Sequence, residues 1–91
     1  MRRVTWKEQA LNDLANILDY IEQQNPVASR KLLEQMMRVA DSLPSHPSLY
    51  RSGRVPGTGE AVVHPHYVLI YRESELQTET LRVLHTRREY P

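Results

Sequence analysis

The chain contains no cysteine, which excludes disulfides and thiolate metal sites and is compatible with a reducing compartment. It also has no apolar run near the roughly 20 residues needed to cross a bilayer. Its Met1-Arg2-Arg3 start runs into Trp6, Lys7 and Glu8 rather than an apolar signal core, so a cytoplasmic protein with no membrane contact is expected. An excess of positive over negative charge is nearly lacking too: 12 Lys and Arg against 11 Asp and Glu leave +1, too little for a large non-specific grip on nucleic acid. No internal repeat, low-complexity stretch or glycine-rich phosphate loop is present. What remains is an ordinary globular composition, 40% hydrophobic and 25% charged over 91 residues, enough for one domain spanning 1–91 around one core.

Arg3 to Thr5, with the aromatic Trp6 behind it, predicts a short first strand. Thr5-Trp6-Lys7-Glu8 then fits a capping box, the Thr5 hydroxyl accepting a backbone N–H and Glu8 reaching back. Ala10, Leu14, Ile17, Leu18 and Ile21 recur at helical spacing, with Asn12, Asp13, Asn16 and Asp19 on the opposite face. Asn25-Pro26 ends this helix and opens the next, because Asn caps well and Pro suits the first helical position. The second helix carries Ala28, Leu32, Leu33, Met36, Val39, Ala40 and Leu43 on one stripe, and so tight a connection forces an antiparallel hairpin.

Beyond Pro44, the segment to Gly59 reads as an ordered loop that Leu49, Tyr50 and Val55 can anchor. Three strands are predicted after it, Glu60 to His64, Tyr67 to Arg72 and Gln77 to His85. A two-residue turn at Pro65-His66 sets Val63 opposite Val68, Ala61 opposite Ile70, Val62 with Leu69 and His64 with Tyr67. In the last strand Leu81, Val83 and His85 are expected on one side, Arg82 and Leu84 on the other. The expected fold is therefore α+β: a helical hairpin packed on a small antiparallel sheet that the N-terminal strand joins. With both sheet faces partly apolar, the hairpin covers one and the C-terminal tail or another molecule covers the other.

All four His fall at position 46 or later, and Arg82, Arg87 and Arg88 lie in the last ten residues. His64-Pro65-His66 looks like a metal-ligand pair, but the turn breaks the alternation and no third ligand stands at a suitable spacing, so no metal and no other cofactor is expected. Ser48, Ser52 and Ser74 lack a nucleophile-elbow context. The remaining Arg, His and Tyr suit metal-free RNA cleavage, which needs a base, an acid and cations for the phosphate. His85 fits the acid–base role, Tyr90 a donor or stacking surface, and Arg54, Arg72, Arg82, Arg87 and Arg88 the phosphate. For any single arginine among these, a solvated or ion-paired surface position is the commoner outcome.

Several stretches in order, "DYI" at 19–21, "NP" at 25–26, "HP" at 46–47, "GRVPG" at 53–57, "HYVLIYR" at 66–72 and "RVLHTRREYP" at 82–91, resemble the RelE/ParE superfamily of bacterial type II toxins. The resemblance runs from Trp6 to Pro91 and implies a growth-arresting toxin silenced by a cognate antitoxin, with room for higher-order toxin–antitoxin assembly. RelE-like members cut mRNA on the ribosome, whereas ParE-like members poison DNA gyrase, and fold does not choose between them. His85, Arg82 and Tyr90 as catalytic residues, with Arg54, Arg72, Arg87 and Arg88 binding nucleic acid or target, favour the ribosome-dependent endonuclease; the gyrase inhibitor is the alternative. Close relatives read Gly-Thr-Arg-Glu where this chain has Gly57-Thr58-Gly59-Glu60, so a common Arg is Gly59 here and an attenuated toxin is a further alternative.

Overall fold

The computed structural model of the chain describes residues 3–45 and 51–86. The elements are β1 (Arg3–Trp6), α1 (Glu8–Glu22), α2 (Pro26–Ser42), β2 (Arg51–Ser52), β3 (Thr58–His64), β4 (Tyr67–Glu73) and β5 (Gln77–His85). They form a five-stranded sheet in the order β1-β5-β4-β3-β2, with the two helices on one face. The antiparallel part runs from β2 to β5, and β1 joins it in parallel beside β5.

Local chemistry accounts for the hairpin. The Asn25 side chain accepts from the Ala28 N–H at 3.1 Å and Pro26 occupies the first helical turn, so α2 starts as soon as α1 ends. Ala10 and Leu14 of α1 and Leu32, Met36 and Ala40 of α2 are buried, and Leu14, Leu32, Met36, Ala40 and Leu43 meet Ala61, Leu69, Tyr71 and Val83 of the sheet. One buried position breaks the apolar stripe. Ser29 donates its hydroxyl to the Leu18 carbonyl at 3.0 Å, a small polar residue that ties the helices together without a cavity.

The expected capping box is not formed. Thr5 stays in β1 and its hydroxyl lies 3.3 Å from Gln77 Oε1, while the N-cap of α1 is Lys7 with no side-chain bond. The parallel pairing explains this, because the Lys7 N–H donates to the Thr80 carbonyl at 2.9 Å and keeps the chain extended past Trp6.

Two irregularities also change the sheet register. Ala61 pairs with Leu69 and Val62 with Val68, and a bulge takes up Val63 before His64 meets Tyr67. The predicted partners of Ala61, Val62 and Val63 are thus shifted, and the His64–Tyr67 pair stands. On β5, Ile70 pairs with Arg82 but Tyr71 with Thr80, so Leu81 is an extra residue. Leu81 therefore packs with Val68, Ile70 and Leu84 on the outer face, rather than with Val83 toward the helices. Thr78 and Thr80 take the inward positions and are fully buried.

The strand β2 at Arg51–Ser52 was not foreseen from the sequence; two residues are too few to show a period. Behind it, Pro56-Gly57 makes a tight turn in which Gly57 has φ 84°, and the Thr58 N–H closes it on the Val55 carbonyl at 3.2 Å. No described helix is long and apolar enough to cross a membrane.

Because Leu69 is fully buried between sheet and helices, Leu69→Ala is expected to lower stability by about 2–5 kcal/mol in urea unfolding. Val62→Ala, at a position 51% exposed, is expected within about 0.5 kcal/mol of the parent in the same measurement.

Candidate functional site

Among the described residues, the histidines 64, 66 and 85 and the pair Arg72 and Arg82 lie in two places, on opposite faces of the sheet. The first is the end of the β3–β4 hairpin on the helix side. There Tyr67 pairs with His85 in adjacent strands and packs against the helix-facing core. The Tyr67 and His85 rings meet edge-on with centroids 5.5 Å apart, and His66 stacks on His85 at 5.6 Å. His64 lies 5.4 Å from His66 and 5.9 Å from Tyr67.

The turn itself holds this ring cluster in place. The His66 N–H donates to His64 Nδ1 at 3.1 Å, which puts the proton of a neutral His64 on Nε2. Thr86 clamps the turn from β5, its N–H bonding the His66 carbonyl at 2.8 Å and its hydroxyl the Pro65 carbonyl at 3.1 Å. Beside the cluster is a pocket of about 480 Å³, with Ile21, Ala28 and Leu32 as its apolar wall and Lys31, Gln35 and His66 among its polar groups. His64 and His66 are turn residues by sequence, and the same two-residue turn returns His66 to the level of His85, where the rings stack. Among the described residues, no group of three or more His, Asp or Glu is placed to hold a metal ion.

The second place is the outer face, at the middle of the sheet. Arg82 pairs with Ile70 across the strands, and Arg72 lies diagonally from it opposite Glu79. Arg72 and Arg82 line one pocket of about 260 Å³ with Val55, Ile70 and Leu81. The two arginines differ in freedom. Arg82 reaches around the sheet edge to Asp13 of α1, with Nε 2.7 Å from one carboxylate oxygen and Nη2 3.2 Å from the other. The same carboxylate accepts the Val83 N–H at 3.0 Å. Hydrogen bonding to Asp13 is the main reason the Arg82 guanidinium is held above its ordinary pKa; burial opposes it and the Asp13 charge adds to it. Arg72 is exposed, and Glu79 opposite it is taken by Lys7 at 3.0 Å.

The structure thus brings His85 together with His66 and Tyr67, and Arg72 together with Arg82; Arg72 stands far from His85, whereas Arg82 is bound to Asp13, which lines one pocket with His85. From Tyr67, the partner of His85, to Arg72 is five residues, roughly 17 Å of strand at about 3.4 Å per residue. Arg54 is exposed in the loop before β3. Arg87, Arg88 and Tyr90 lie outside the described residues.

Gly59 has a packing explanation. It pairs with Tyr71, and a Cβ built at 59 would stand 2.4 Å from the Tyr71 ring, itself 2% exposed. The aromatic ring fills the space above the glycine, so any side chain at 59 would require the ring to move.

With this geometry in hand, comparison with known proteins identifies the class. Residues 4–90 match the family described as ParE toxin of type II toxin-antitoxin system, parDE, and the chain belongs to that family within the RelE/ParE superfamily of type II toxins. It is 34% identical over 88 residues to Toxin RelE2 of Caulobacter vibrioides, covering 97% of this chain and 99% of the relative. It is 32% identical over 91 residues to the Putative toxin Y4kP of Sinorhizobium fredii, covering 99% and 94%. In fold it is similar to the chromosomal ParDE TA system from P. aeruginosa, with TM-score 0.81, 19% identity, and 93% and 96% of the two chains covered.

Two stability predictions follow from these contacts. Gly59→Ala should cost about 1–3 kcal/mol in thermal or urea unfolding, and most of that loss should vanish in a Tyr71→Val background, where the clashing ring tip is gone. Arg82→Ala leaves the Asp13 carboxylate, 16% exposed, with only the Val83 N–H, and is expected to cost about 1.5–3 kcal/mol by the same measurement.

Proposed function

We propose that this toxin arrests growth by binding a protein target, DNA gyrase in the ParE-like manner, and that a cognate antitoxin neutralises it. The observation that carries this reading is the division of the polar groups between two faces. Metal-free RNA cleavage needs an acid–base group and phosphate-binding cations around one scissile phosphate. Here His85 stands on the helix side, whereas Arg72 and Arg82 stand on the outer face, with Arg82 already committed to Asp13. Of the two arginines, the one that reaches toward the side of His85 is held by Asp13, and the other faces away from it. The match to the ParE toxin family supports the same reading, and the likeness to a ParDE system supports an antitoxin partner.

The endonuclease is the second reading, and the ring cluster of His66, Tyr67 and His85 favours it. It would use His85 as the acid–base group, with Arg87, Arg88 and Tyr90, which follow in the chain, supplying the phosphate contacts. The packing of Tyr71 over Gly59 explains how the glycine fits, and bears on stability rather than on growth arrest.

The test adds purified chain to a gyrase supercoiling assay and to a translating extract. Inhibited supercoiling with stalled cleaved gyrase complexes and intact mRNA is expected, and His85→Ala should inhibit as the parent does. Cuts in ribosome-bound mRNA that disappear with His85→Ala, with gyrase unaffected, would replace the gyrase reading by the nuclease.

A further inference from the structure

The outer-face pocket holds an arrangement that neither the family match nor the fold assigns a role. Its wall is apolar: Ile70 is buried at 3% exposure in a cluster with Val68 and Leu84, and Leu81 and Val55 lie beside it. Its rim is cationic. Arg72 has no hydrogen-bond or ion partner among the described residues, because Lys7 holds the Glu79 carboxylate that faces it across the strands. The Arg82 guanidinium is oriented in advance. Asp13 binds Nε and one Nη, and leaves the remaining N–H donors of the planar fork without a partner among the described residues.

From this geometry we infer that the pocket is the docking site for an acidic segment of the toxin's target protein, a carboxylate set between Arg72 and Arg82 with a neighbouring apolar side chain on Val55, Ile70 and Leu81. Charge decides between this occupant and a nucleic-acid backbone. Asp13 offsets Arg82, Glu79 offsets Lys7 and the buried Glu60 stands opposite Ile70 on this face, so the site carries little net charge and Arg72 supplies the positive charge at its rim that none of these ion pairs holds. One carboxylate matches that charge, whereas a phosphate backbone brings a charge at every nucleotide and binds by neutralising several. A guanidinium pair suits a carboxylate, whose two oxygens accept from both forks. The bulge at Leu81 completes the site, since it turns Leu81 to the face that Arg82 and Ile70 already share. Asp13 acts as a positioning residue, holding Arg82 at the rim.

The inference rests on the reading of the chain as a protein-binding toxin, and one set of measurements separates the two. Arg72→Glu, Arg72→Lys and the parent are induced without antitoxin, growth arrest is scored by viable counts, gyrase binding and mRNA cleavage are measured on the purified chains, and thermal melting checks the fold. Arg72 is exposed, so melting should not change. Arg72→Glu is expected to weaken arrest and gyrase binding on the order of tenfold or more, with Arg72→Lys falling between it and the parent. Arrest and binding by Arg72→Glu equal to the parent's would overturn the docking site and leave the gyrase reading intact. A parent that arrests growth without binding gyrase, alongside an inactive Arg72→Glu, would remove gyrase as the target and keep the site. If the parent cuts mRNA and Arg72→Glu does not, the pocket holds phosphate and the acidic-segment occupant is overturned. A parent that arrests nothing overturns both.

Discussion

The carboxylate of Asp13 is the hinge of this structure. β1 covers the outer edge of β5 only as far as Thr80, and past that point the edge would present unpaired backbone groups. Asp13 takes over there, accepting the Val83 N–H and two donors from Arg82. One side chain thereby docks α1 against the sheet, closes an edge and orients an arginine. The ion pair is partly buried, with side chains 28% and 16% exposed, so it is screened less than a surface pair and is fully hydrogen-bonded on the side that faces the protein.

The bulge at Leu81 works together with that contact. A regular β5 would carry Leu81 inward with Val83, and Glu79 with it toward the helices. Resetting the alternation sends Thr78 and Thr80 inward instead, where Thr78 bonds both Glu73 oxygens at 3.0 Å. Glu79 is released to pair with Lys7, and Leu81 joins the outer cluster. One inserted residue therefore decides which face Thr78, Glu79 and Thr80 occupy, while Arg82 and His85, both beyond the bulge, take opposite faces by strand alternation alone.

Much of the fold was legible in the sequence. The Asn25-Pro26 junction, the helical stripes, the Pro65-His66 turn and the full span of β5 from Gln77 to His85 all follow from local rules of capping, period and turn chemistry. The candidate site was legible only in its parts. His85, Arg72 and Arg82 were picked out by residue type, but which of them meet depends on strand register, and the sequence marks neither bulge: Val63 and Leu81 are apolar residues in apolar strands. The capping box at Thr5 failed for a related reason, since a local motif competed with a pairing to a strand more than seventy residues away.

The sequence by itself determined the elements, their order and the type of each candidate side chain, because capping, period and turn chemistry act over a few residues. Only the tertiary structure decided that Arg82 is held by Asp13, that Gly59 lies under Tyr71, and that His66 stacks on His85. Each of these joins residues from different elements. Their geometry is set by the register of the sheet and the docking of α1, which no short window of sequence contains.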